Sequence, residues 1–285
     1  MQLKKVTTEA VLVPDLGYCE GLCWHEDELW WSDFLSRKVC SVGSDGKPRE
    51  RAYVAGQPSG IGFLPDGKPL VVSMMDHLLL KLGATHPVIH ANASAHSVGP
   101  SNDMVVDAKG RAYLGSFGFE ASYEDASALQ PSSLLLVSPD GSVTAVAEGL
   151  LFPNGMAISQ DSRTLVVAET FANRLTAFDI RSDGSLTNRR IFADLGTRAP
   201  DGICMDASGA VWGACPFAGE FVRIAEGGEV LDVVEVPGRW AVTVALGGRN
   251  LDTLFCATAH TTLADFHAGR ARASIEALRV AVPGF

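Results

Sequence analysis

The amino-acid sequence predicts an all-β fold, a six-bladed β-propeller with a central channel, and three observations carry that expectation. One pattern recurs six times: a small or polar residue, usually followed by glycine, then alternating apolar positions, a Gly/Asp turn and a second apolar run. The openings fall at positions 20, 59, 102, 154, 201 and 242, spaced 39, 43, 52, 47 and 41 residues apart. Repeats of about 40–50 residues built from short strands are the signature of propeller blades. Stretches with helical periodicity are nearly absent, leaving the strand as the repeating element.

The repeats follow in order. The first reads EGLCW from Glu20 and LWWS from Leu29; the second SGIGF from Ser59 and LVVS from Leu70; the third NDMVV from Asn102 and AYLG from Ala112. The fourth reads NGMAI from Asn154 and LVVA from Leu165, the fifth DGICM from Asp201 and VWGA from Val211. The sixth, VTVAL from Val242 and LFCA from Leu254, is the weakest match. Turn dipeptides such as Asp45-Gly46, Asp66-Gly67, Asp140-Gly141 and Asp183-Gly184 separate these runs, as hairpins require. Outer strands are expected at Lys38–Val42, Leu78–Leu82, Ser133–Val137, Leu175–Asp179 and Phe221–Ile224. The terminal stretch Ala273–Val280 alternates like a strand, and with an opening strand near Val6–Val13 it is expected to complete one blade from both chain ends, removing the last sheet edge. The longest spacing holds an insertion with a turn of helix expected at Ala121–Leu129, read as a loop over a binding face.

Six repeats fill residues 1–285 and leave no room for a second domain. The 33 acidic and 23 basic residues give a net charge of −10, which argues for solubility and against nucleic acid or an anionic membrane as partner. The opening MQLKKVTTEAVLV has no long apolar core of a signal peptide, and no apolar run approaches the ~18 residues of a membrane span. The chain is therefore expected to be cytoplasmic, as a monomer or weak homo-oligomer. Its six cysteines lack paired CxxC spacing and three of them, Cys23, Cys204 and Cys256, fall on apolar strand positions, so the set reads as reduced, mostly buried thiols. The five tryptophans read as packing between blades. A nucleophile-elbow GxSxG, a P-loop and a dinucleotide fingerprint are all missing from the sequence.

Equivalent positions of propeller blades sit at equivalent radii, so residues at one register converge. At the opening register stand Glu20, Asn102, Asn154 and Asp201, with Ser59 and Val242 in the other two repeats. Two carboxylates and two amide oxygens, without His or Cys, form an oxygen donor set suited to one hard divalent cation. Ca²⁺ is the first expectation, with Mg²⁺, Mn²⁺ or Zn²⁺ as alternatives. Asn-Gly and Asp-Gly are also common turn formers, so Asn154-Gly155 and Asp201-Gly202 taken singly have a purely structural explanation.

The motifs Glu20-Gly21-Leu22-x-Trp24, Ser101-Asn102-Asp103, Phe152-Pro153-Asn154-Gly155-Met156 and Pro200-Asp201-Gly202 closely resemble the regucalcin/gluconolactonase/luciferin-regenerating-enzyme family. The resemblance covers essentially the whole chain. It implies a propeller with one divalent metal at the channel mouth that hydrolyses a lactone, a small-molecule cyclic ester. Glu20, Asn154 and Asp201 match the metal ligands of that family, and Asn102 matches an Asn that contacts metal or substrate. Asp201 also matches the proposed general base, and Glu120 a residue that touches sugar hydroxyls. One departure stands out: where sugar lactonases often carry an Arg two residues before the Asn of the third motif, this chain has Pro100. The bidentate donor that would orient a polyol is absent. Phe117 and Phe119 are expected to make the pocket wall apolar, pointing to a lactone less hydroxylated than gluconolactone. Two other readings stay open: a propeller that binds Ca²⁺ or a small ligand without turnover, and hydrolysis of another ester such as a phosphotriester.

Overall fold

Apolar residues alternating at period two, interrupted every few residues by glycine- and aspartate-rich turns, leave the antiparallel strand as the element that can bury its apolar side. The computed structural model describes residues 5–6, 8, 10–83, 86–119 and 129–285. Its described residues form six sheets. The first blade comprises Cys19–His25, Glu28–Asp33, Lys38–Val42 and Pro48–Tyr53, and the second Pro58–Phe63, Pro69–Ser73, Leu78–Lys81 and Val88–Asn92. The third comprises Ser101–Val106, Ala112–Ser116, Ser132–Val137 and Val143–Leu150, and the fourth Pro153–Ile158, Thr164–Glu169, Arg174–Ile180 and Leu186–Asp194. The fifth contains Ile203–Met205, Val211–Cys215, Glu220–Ile224 and Val230–Glu235. Within each blade neighbouring strands pair in chain order, antiparallel throughout.

The sixth blade joins both ends of the chain. Trp240–Gly247, Thr253–His260 and Arg272–Arg279 take Ala10–Leu16 as their fourth strand, in the register Ala10↔Ala277 and Val11↔Glu276. The opening strand expected over Val6–Val13 is divided between two sheets: Lys5–Val6 pairs in parallel with the outer strand of the fifth blade, and pairing with the sixth blade begins at Ala10 and continues to Leu16. That register turns Val13 into the core, where it is 2% exposed. First strands of successive blades contact one another, and that of the sixth contacts that of the first, so the ring closes.

The core is divided rather than central. Six apolar clusters occupy the six gaps between neighbouring blades, for example Tyr113, Leu134, Met156 and Leu165 between the third and fourth. Each fully buried Leu, Ile, Val or Phe contributes about 1.5–3 kcal/mol, so each blade is held by its two neighbours. Trp31 and Trp212 lie in these gaps, and Trp24 stacks on Phe255 at 5.5 Å across the gap between first and sixth blades. All six cysteines are free.

Helix is scarce. Thr170–Ala172 and Pro216–Ala218 form single 3₁₀ turns, and Leu263–His267 forms the one α-helix among the described residues. Its five residues are too few for a periodic signal, although Thr262 caps it by accepting from the Asp265 amide at 3.1 Å, a cap legible in T-x-x-D. Most of the turn expected at Ala121–Leu129 lies outside the described residues. The ends of that insertion are tied together by Ser116 and Ser132, whose hydroxyls lie 2.6 Å apart, and by the Gln130 amide donating to the Gly118 carbonyl. No helix among the described residues is long and apolar enough to cross a membrane.

Candidate metal centre and active site

The innermost strand of five blades begins with a break in register. Breaks fall between Glu20 and Cys23, Pro58 and Ile61, Ser101 and Met104, Pro153 and Met156, and Ala241 and Thr243. A bulge re-aims the residue beside it. Glu20, Ser59, Asn102 and Asn154, each second in its strand, consequently line one cavity at one end of the channel. In the fifth blade Asp201 precedes the strand. It is fixed by its own amide donating to the Ala214 carbonyl at 2.9 Å and by the Gly202 amide donating to the Val242 carbonyl at 3.0 Å.

Glycine follows Asn154 and Asp201 because the inner strands converge, not because the chain turns. A Cβ on Gly155 would sit 2.5 Å from the Ile203 amide nitrogen, and one on Gly202 would sit 2.2 Å from the Thr243 hydroxyl. Both contacts are closer than a carbon atom can approach. The close approach carries Asn154 and Asp201 toward each other.

The floor of the cavity is one hydrogen-bonded chain. The Ser59 hydroxyl donates to Asn102 Oδ1 at 3.4 Å, Asn102 Nδ2 donates to Asn154 Oδ1 at 3.0 Å, and Asn154 Nδ2 donates to the Thr170 hydroxyl at 3.2 Å. Thr170 in turn donates to the Pro200 carbonyl at 2.8 Å, beside Asp201, which also accepts from the Asn154 side chain. Asn102, Asn154 and Asp201 are buried and Glu20 is half-buried. Burial raises the Glu20 carboxyl well above the carboxylate range, and the charges of Asp201 and Asp103 add to it. Burial likewise raises Asp201, with Asp103 adding and Asn154 opposing. Asp103 itself, pushed up to about 7 by burial, faces the other end of the channel.

The cavity measures about 100 Å³. The structure brings Glu20, Asn102, Asn154, Asp201 and Phe117 to it. Phe119 stands one row behind, its ring 5.6 Å from Phe117 and 5.7 Å from Phe152. Glu120 lies outside the described residues. His260, at the end of its strand, is exposed and does not line the cavity. Trp240 packs against the cluster between the sixth and first blades, as expected, and also lines the cavity, as do Ser59 and Thr170. Ser59 was visible at the repeat register, whereas Thr170 depends on a 3₁₀ turn that leaves no periodic trace.

The donor set fits a hard cation. Among the described residues no three His, Cys, Asp or Glu cluster as a metal site, so a cation here would draw on the amide oxygens as well as the two carboxylates. Oxygen donors of this kind suit Ca²⁺ or Mg²⁺.

The family model described as SMP-30/Gluconolactonase/LRE-like region matches residues 18–260. The chain belongs to this family. Among its SMP-30/Gluconolactonase/LRE-like relatives, the pentonolactonase XacC of Haloferax volcanii is 28% identical over 254 residues, covering 84% of this chain and 81% of that protein. The 6-deoxy-6-sulfogluconolactonase of Pseudomonas putida is 26% identical, covering 94% and 92% respectively. A solved structure of regucalcin from Agrobacterium tumefaciens, described as a calcium-binding protein, superposes with a TM-score of 0.81 at 23% identity over 99% of this chain and 98% of that one.

Proposed function

We propose that this chain is a hydrolase that opens a lactone ring, working with one divalent cation held by Glu20, Asn154, Asp201 and Asn102. The observation that supports it most is the gathering of oxygen-bearing side chains from four separate repeats on one cavity floor, in a chain whose relatives include two named lactonases. Calcium is the first candidate, given the oxygen donors and the calcium-binding description of the Agrobacterium structure.

Bound there, a dication supplies Lewis acidity to the ester carbonyl and offsets the charge that develops on its oxygen. The chain's own groups do the rest. Asp201 orients the attacking water and takes its proton as the water oxygen bonds to the carbonyl carbon. The ring C–O bond breaks, and the proton passes to the departing alkoxide oxygen, yielding an open hydroxy acid. Asn102, tied to Ser59 and Asn154, keeps the floor rigid, so little reorganisation accompanies the reaction. Phe117 and Phe152 close the side of the cavity against bulk water.

A lactone panel assayed with and without chelator tests this reading. Turnover of at least one lactone is expected, abolished by EDTA and restored by adding Ca²⁺, Mg²⁺, Mn²⁺ or Zn²⁺ singly. Full activity in exhaustively chelated protein would remove the cation from the proposal. Failure of every lactone alongside hydrolysis of a phosphotriester would reassign the bond.

A further inference from the structure

The sixfold repeat builds a second ring above the floor. Within three residues of the end of each blade's second strand stands a large apolar side chain that faces the channel mouth: Phe34, Met74, Phe117, Phe171, Phe217 and Leu263. All six line the same cavity as Glu20 and Asp201. Met74 and Phe117 also belong to a buried inter-blade cluster, but core packing does not account for the other end of the collar, where Phe217 is 65%, Leu263 48% and Phe171 40% exposed. Apolar groups gathered in the open around a polar floor mark a ligand surface.

The collar is organised as two aromatic walls. Phe117 packs edge-on to Phe152 at 4.7 Å, and Phe152 meets Phe171 at 5.3 Å, forming a wall on the third and fourth blades. Tyr18 packs on Phe266 at 4.7 Å, Phe266 meets Trp240 at 6.0 Å and Trp240 meets Phe217 at 5.4 Å, forming a wall on the first, sixth and fifth. In a closed ring of six, the third blade stands opposite the sixth and the fourth opposite the first, so the walls flank a cleft with the carboxylates at its base. No Lys, Arg or His of the described residues lines it. The floor's N–H and O–H groups are largely engaged within the Ser59–Asn102–Asn154–Thr170 chain. Sugar hydroxyls entering the cleft would be desolvated with few donors to meet them.

We infer that the lactone taken by this site carries a flat aromatic substituent on the ring carbon bearing the ester oxygen, and that the two aromatic walls clasp it while the ester meets the floor. The inference rests on the lactone-hydrolase reading and narrows its substrate class.

Three substrates and one inert ligand test it on the metal-loaded protein: γ-phenyl-γ-butyrolactone, γ-butyrolactone, D-glucono-1,5-lactone and the γ-phenyl lactam, which resists hydrolysis. The phenyl lactone should exceed both other lactones in kcat/KM by about tenfold or more, and the lactam should bind by calorimetry and quench Trp240. Phe171→Ala and Phe217→Ala truncate exposed rings, and each should lower the phenyl-to-unsubstituted ratio of kcat/KM by about fivefold, mainly through KM. A merely structural role would lower both rates together and leave the ratio unmoved. Equal rates, or preference for gluconolactone, would overturn the inference while leaving the hydrolase reading intact. Tight lactam binding with no lactone turned over would do the opposite, sinking the hydrolase reading and upholding the apolar cleft.

Discussion

Asp201 is proposed for two duties, as a ligand and as a base, and one atom separates them. Asparagine keeps an oxygen that can ligate but cannot take a proton from water at neutral pH. Asp201→Asn, assayed at saturating cation with occupancy checked by elemental analysis, is expected to lose about 10²–10⁴-fold in kcat, and Asp201→Ala at least as much with weakened cation binding. Near-normal turnover by the loaded asparagine variant would remove Asp201 as base. At this scale the sequence was legible wherever a residue recurs at one register: Glu20, Asn102, Asn154 and Asp201 were found that way and share a cavity. What it concealed were residues placed by local backbone breaks. Phe152, at φ +56° before Pro153, lies in a region that bulky side chains avoid, and its turn into the aromatic wall follows from that conformation rather than from any alternation.

At the scale of the element, a blade is a four-stranded sheet whose edges need pinning, and in the fourth blade Glu169 supplies the pin. Its side chain is wholly buried yet accepts from the Thr176 hydroxyl, the Leu151 amide and both Arg174 and Arg189. Burial alone would raise this carboxyl; Thr176, Leu151 and Arg174 more than offset it and hold it below its ordinary range. A carboxyl lowered by folding contributes stability fully above its unfolded pKa of about 4.3 and loses it as pH falls through the folded value. Glu169→Ala should therefore cost about 2–3 kcal/mol at pH 7, with the difference in Tm from the unmodified protein shrinking below about pH 4. A constant difference from pH 7 to pH 3 would show that packing, not charge, is lost. The outer strands were legible to within one or two residues, as with Lys38–Val42, because period-two burial writes itself directly into composition, whereas the opening strand, shared between two sheets, was not. The glycines after the anchors were not: Gly155 and Gly202 look like turn residues in sequence, and only the neighbouring strand explains them.

For the whole molecule, six gaps between blades carry the core, and stability depends on the circle being shut. Val13→Asp places a charge in the gap between sixth and first blades, where Val13 is 2% exposed. It should lower stability by at least about 3 kcal/mol, measured by chemical denaturation, and promote association through the freed edge of Arg272–Arg279. An unchanged transition would mean that the ring holds without its clasp. The same clasp has a consequence in time. Ala10 meets Ala277, 267 positions further along the chain, so during synthesis the strand that finishes the last blade emerges long before the three strands it joins and waits for its partner until almost everything else has been made. Until then the growing chain is an arc with two open margins, and the floor of the cavity is incomplete, since Glu20 comes from the first blade and Asp201 from the fifth. Cooperative closure is thus the step at which an arc of hairpins acquires a site at all, and a slow, late folding phase gained together with ligand binding is the kinetic trace it should leave.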